Sequence, residues 1–299
     1  MLKQLKKIMK RIARTVVAIV FIGTTLQMGL TAYRMAEAES GPSSVINAEQ
    51  PAAPISSGNQ QEAAAVREVQ ISQAVLDKIR EESPARFDQS VSDYKNLLAK
   101  IDAHQKVQDE IEQLILAGYR LPDLLIALEF LNDEYAQIQQ MELLLKDKQA
   151  GKSWAAVFKS YHDTHASFVP RAFDSDELET LLTKSGLTSD DLMIADRISF
   201  ETGEAVKQLI ASRKSGGSWK DIKADRNIIN SAAALPRVPL TAEQLNYWMQ
   251  AGNMIEDQVA AAFVLAFKTG EQPENVIQKL NGGSSQEAIL AESYQSKYE

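Results

Sequence analysis

The chain is 299 residues long, with 32 Lys and Arg against 40 Asp and Glu, 44% hydrophobic residues and no cysteine. That length supports one or two ordinary domains with a real core. The missing cysteine excludes a disulfide scaffold, a thiolate zinc site, a thiol nucleophile and an acylated lipoprotein cysteine, and the net charge of -8 argues against general nucleic-acid binding.

The N-terminus reads as a targeting segment. Residues 1–14 carry Lys3, Lys6, Lys7, Lys10, Arg11 and Arg14 and no acid, and residues 15–33 follow as 19 uncharged positions opening on the apolar run 16–22. A basic flank before an apolar stretch keeps the N-terminus cytoplasmic and sends the rest across a membrane. Two outcomes fit. Thr24, Thr25 and Gln27 shorten the strongly apolar part, and Ala36-Glu37-Ala38 offers a small-x-small cleavage site, as in a signal peptide. Retained, the stretch would be a single N-terminal transmembrane helix. Either outcome makes residues 39–299 extracytoplasmic, secreted or anchored, with membrane contact only through residues 1–38. Those 38 residues have a net charge of +6, which leaves -14 for the remainder. The exported part is therefore acidic and unsuited to binding nucleic acid or anionic lipid through bulk charge.

Residues 39–69 hold Pro42, Pro51 and Pro54 among Ser, Gly, Gln, Ala and Glu, with no large apolar period before Val66. Such a segment buries too little to offset its ordering entropy, which predicts a disordered spacer of roughly 30 Å r.m.s. reach.

From residue 70 the pattern is helical throughout. Apolar residues recur at i, i+3, i+4, i+7 in Tyr94, Leu97, Leu98, Ile101, in Leu121, Leu124, Leu125, Leu128, and in Val259, Ala262, Phe263, Ala266. Gly, Pro, Ser and Thr interrupt these stripes often, so the helices are short.

The interruptions repeat. Gly118, Gly186 and Gly252 each follow a helical run and precede an acidic helix start, the order expected of a left-handed cap followed by an acid at the next positive helix end. A second series runs Gly151-Lys152-Ser153-Trp154 and Gly216-Gly217-Ser218-Trp219, with Gly282-Gly283-Ser284-Ser285 as a degenerate third copy lacking the Trp. The first glycines lie 68 and 66 residues apart and the second 65 and 66 apart. This predicts an all-α fold of three tandem units of about 66 residues, over residues 105–172, 173–238 and 239–299, forming a helical array or bundle. Ser153 and Ser218 suit helix N-caps, Asp221 and Gln244 complete capping pairs with Ser218 and Thr241, and Thr202-Gly203 and Thr269-Gly270 mark a further break. Trp154 and Trp219 would be aromatic anchors for a sugar or partner on one reading. Their shared repeat position at the start of an i, i+3 stripe favours the other, the first core side chain of each helix, and Trp248 reads as core too.

The run Gly-Leu-Thr-x-x-Asp-Leu…Thr-Gly…Val-x-x-Leu-Ile…Gly-x-Ser-Trp-x-x-Ile over residues 186–222 resembles a helical repeat that recurs in uncharacterised exported proteins of Gram-positive bacteria. The resemblance spans residues 118–285 and is sharpest in the second unit. The first unit has residues 137–140 where Thr-Gly falls, and the third lacks the Trp. It implies an exported repeat architecture and no particular activity.

Sites for chemistry are sparse. His162 and His165 stand at i, i+3 beside Asp163, a spacing that can hold a metal on a helix, but a solvated helix end before Pro170 fits better. Asp174, Asp176 and Glu177 alternate like a calcium loop without its central Gly, and helix capping suits them better. Glu129, Asp133 and Glu134 could serve a glycoside hydrolase, although acids spaced i, i+4 on a helix usually form its wet face. No phosphate loop, dinucleotide fingerprint or nucleophile elbow appears. The sequence therefore leads to a non-enzymatic interaction or scaffold module of the cell envelope, without catalytic residues, metal or cofactor, that binds a basic or neutral protein partner. The alternative is an extracytoplasmic cell-wall hydrolase using Asp and Glu.

Overall fold

The computed structural model describes residues 69–299. The predicted targeting segment and all but the last residue of the predicted spacer lie outside them. Among the described residues there are fourteen α-helices and no strand, as the periodicity predicts. They are α1 Gln73–Glu82, α2 Phe87–Lys100, α3 Gln105–Leu116, α4 Leu121–Asp133, α5 Met141–Gln149, α6 Trp154–Thr164, α7 Ser175–Ser185, α8 Ser189–Thr202, α9 Val206–Lys214, α10 Trp219–Ala224, α11 Ala242–Ala251, α12 Glu256–Thr269, α13 Pro273–Asn281 and α14 Gln286–Tyr298. None of them is long and apolar enough to cross a membrane. Four helices fall in each predicted unit, beginning at α3, α7 and α11.

The caps show why the helices start where they do. Ser153, Ser218 and Ser285 precede α6, α10 and α14, and each hydroxyl accepts from a backbone N–H three residues on. Thr188 with Asp191 and Thr241 with Gln244 close reciprocal caps on α8 and α11. Asp174 caps α7 by accepting from the N–H of Asp176 at 2.9 Å.

The left-handed turns correct three details of the predicted repeat. Gly118 and Gly186 have φ of 93° and 68°, but Gly252 has φ of -88° and the left-handed residue is Asn253, at 50°. Asn tolerates that conformation better than most L-residues, so the third unit does without glycine there. In the second series Gly151 and Gly216 are matched by Gly283 rather than Gly282, and the third serine cap is Ser285. The break at Gly203 and Gly270 is made in the first unit by Tyr135, with φ of 57°, and not within residues 137–140.

The units do not simply stack in a row. The first and third share one large core, built from α1 to α6 and α11 to α14, whereas α8 to α10, with half-buried leucines of α7, enclose a smaller core of their own. α14 returns to pack on α4 and α6, so the last helix of the chain closes the first unit. The middle unit meets this body through Ile229 and Val238, both buried in the large core, and through backbone and polar contacts: Ile138 N–H to the Asn227 carbonyl at 2.8 Å, Ile229 N–H to the Ala136 carbonyl at 3.0 Å, and Lys220 to Asp102 at 2.6 Å.

Candidate functional site

The densest group of titratable side chains is centred on α4. This helix is apolar around nearly its whole circumference, with Leu124, Leu125, Ile126, Ala127, Leu128, Phe130 and Leu131 all buried. A helix apolar on every side belongs in a core, and its acids go in with it. Glu129 is 1% exposed and Glu134 4%, while Asp133 is half-buried. The expected wet face is therefore absent, because α2, α3, α5 and α14 pack on α4, and Phe158 of α6 and Lys268 of α12 reach its last turn.

Each carboxylate is matched from a neighbouring helix. Glu129 Oε1 accepts from Lys100 Nζ at 2.6 Å and Lys297 Nζ at 2.9 Å, and Oε2 accepts from the Tyr298 hydroxyl at 2.7 Å. Asp133 accepts from the Tyr294 hydroxyl at 2.7 Å. Glu129 and Asp133 are four residues apart on α4, and Tyr298 and Tyr294 four apart on α14, so two tyrosine–carboxylate rungs tie the helices. Glu134 takes Lys268 Nζ at 2.9 Å. His162 bridges onward, with Nε2 3.7 Å from Glu134 and Nδ1 2.9 Å from Glu287.

The surroundings separate these acids. Burial pushes the Glu129 and Glu134 carboxyls up, but the ammonium groups beside them outweigh it and hold both below the usual range, Glu134 well below. Asp133, which lacks a contacting cation, is instead pushed up by burial. Burial acts to lower His162, yet its bonds to Glu134 and Glu287 raise it to about 9.

A second cluster lies at the seam with the middle unit. Arg197 is 6% exposed and donates through Nη2 to the Glu134 carbonyl and to Glu201, the latter at 2.8 Å. Lys223 is fully buried, donating to Asn230 Oδ1 at 3.2 Å and the Ala232 carbonyl at 2.9 Å. Both cations lie over the Tyr135 ring, 5.4 and 4.8 Å from its centre, and so help hold this residue in its left-handed turn. Burial moves Glu201 up to about 7 and, with the Arg197 charge, moves Lys223 down to about 7.

The predicted repeat residues serve packing and chain reversal. Trp154 is fully buried and Trp219 is 2% exposed. The Trp219 indole N–H donates to Asp191 Oδ1 at 2.7 Å, tying the start of α10 to the cap of α8. Trp154 and Asp123 occupy the corresponding places in the first unit. Trp248 is only half-buried on the large core. His162 and His165 do not share a metal position: His165 is the half-buried C-cap of α6 and stacks on Tyr161 at 3.9 Å, whereas His162 lies inside the helix end, held by the two glutamates. Among the described residues no group of three His, Asp or Glu side chains could hold a metal.

The histidine bridge has a testable pH dependence. Its folded pKa, about 9, exceeds its ordinary 6.5. The stability it contributes is therefore fully present below pH 6.5 and lost as pH rises through 9, by about 3 kcal/mol. Denaturant titrations at pH 6 and 10 should show this loss in the native chain and not in His162→Gln. Equal pH dependence in the two would sink the assignment.

The fold and this network define an all-α protein braced by internal charge. No protein-family model, curated protein or solved structure matches the chain.

Proposed function

We propose that the chain is a non-enzymatic, exported or membrane-tethered helical-repeat protein that serves as an interaction or scaffold module of the cell envelope. The observation that carries this reading is the state of α4. Glu129, Asp133 and Glu134, the strongest candidates for acid–base chemistry, each have an internal partner from another helix. Their role is cohesion, which leaves the outer surface to act by binding. That surface is acidic, with 35 Asp and Glu against 24 Lys and Arg in residues 69–299, so a basic or neutral protein partner and salt-sensitive association follow. The N-terminal residues 1–38 supply export or tethering.

The test is photo-crosslinking of the full chain in native envelope extracts. One saturable protein adduct that weakens with rising salt is expected. No specific adduct at any salt concentration would refute the reading.

A further inference from the structure

We propose that α11 and its turn into α12 form the docking surface for a basic amphipathic helix of a partner protein. This rests on the interaction reading above and locates it.

The comparison of α3 with α11 carries the argument. Each opens a unit and leads, through a left-handed residue (Gly118 or Asn253), into the second helix of that unit. α3 buries Val107, Gln108, Ile111 and Ile115, and α1 lies across it, burying Val75 and Ile79. The Gln108 amide also reaches back to the Gln70 carbonyl at 2.6 Å. α11 buries no residue at all. Leu245 and Trp248 reach only half-buried positions on the large core, while Tyr247 is 60% exposed beside Trp248 and Ile255, at the turn, is 63% exposed. Among the described residues, α11 therefore lacks the covering helix that completes α3.

The charge around α11 says what kind of helix would fit. From residue 238 to 278 the only cation is Lys268, which is buried against Glu134. The same stretch carries Glu243, Glu256, Asp257, Glu271 and Glu274. Glu271 is paired with Lys279, but Glu243, Glu256 and Asp257 have no ion-pair partner among the described residues. A helix bringing an apolar stripe to Tyr247, Trp248 and Ile255, with cations along its flanks, would bury the first group and neutralise the second. An acidic helix would be repelled by the same carboxylates.

Trp248 provides the readout, because Trp154 and Trp219 are shielded in the cores. Two synthetic 18-residue helices, one of Leu and Lys and one of Leu and Glu with the same apolar stripe, are titrated into the full chain while Trp emission is followed. The Leu/Lys helix should give a saturable blue shift, with affinity at least tenfold above that of the Leu/Glu helix. Tyr247→Ala with Ile255→Ala should lower that affinity at least tenfold and leave the melting temperature unchanged, since both side chains are exposed. Equal binding of the two helices, or unchanged affinity in the double variant, would overturn the proposal. So would concentration-dependent self-association abolished by the double variant, which would assign the surface to a second copy of the chain. If the double variant still forms its envelope crosslink at full yield, the α11 assignment fails and the broader interaction reading stands.

Discussion

Replacing Lys268 with Met is expected to destabilise the chain by about 3–5 kcal/mol, the cost of leaving a buried charge without its partner. Lys268 comes from α12 to meet Glu134, and both side chains are at most 5% exposed. Without the ammonium, Glu134 must either stay ionised in the core beside His162 or take up a proton. The second course gives a distinct signature: stability should recover as pH falls toward the ordinary carboxylate range. Glu134→Gln in the Lys268→Met background should restore a good part of the loss, because the neutral amide needs no counter-charge. Urea titrations of the single and double variants measure both effects. A Lys268→Met chain within 1 kcal/mol of the native one, estimated against the usual scatter of surface substitutions, would mean that the pair is not the brace described.

The tryptophans should cost as much, but in different places. Trp154→Ala and Trp219→Ala each remove a buried aromatic, for about 3–5 kcal/mol. Trp154 lies in the large core beside Phe158, whose ring stacks on Phe130 of α4 at 4.0 Å. Its loss should loosen α4, α6 and α14 together. Trp219 closes the smaller core and ties α10 to the cap of α8. Its loss should first release α7 to α10, whose core is separate from the large one. Hydrogen exchange resolved by segment distinguishes the two. Trp219→Ala should lose protection in residues 175–224 while α4 stays protected. A uniform loss across residues 69–299 would contradict the two-core description.

The sequence displayed some of this and concealed the rest for physical reasons. Stripe periodicity, the serine caps and the recurring Trp are local signals, and the helices, their starts and the burial of Trp154 and Trp219 follow from them. The left-handed turns were less legible, since Asn253 and Tyr135 take positions that a search for glycine passes over. The return of α14 onto α4 depends on contacts between residues more than 160 apart, such as Tyr294 with Asp133, and no local pattern encodes it. The burial of Glu129 and Glu134 left a trace that acid spacing alone obscured. Residues 124–131 are apolar at every position but Glu129, so past Asp123 the polar face of α4 is confined to its last turn. The partners Lys100, Lys268 and Lys297 come from three separate helices and resemble any surface lysine until the helices are assembled.

The proposed role of the α4 carboxylates is to hold helices together rather than to do chemistry. It is tested most directly by incubating the full chain with purified cell-wall polymer and measuring released fragments for the native protein and Glu129→Gln, with the melting temperature of each recorded alongside. The account expects no release from either protein and a lowered melting temperature for Glu129→Gln, which loses the negative charge that Lys100 and Lys297 neutralise. Fragment release by the native chain, abolished in a Glu129→Gln variant that melts normally, would contradict it.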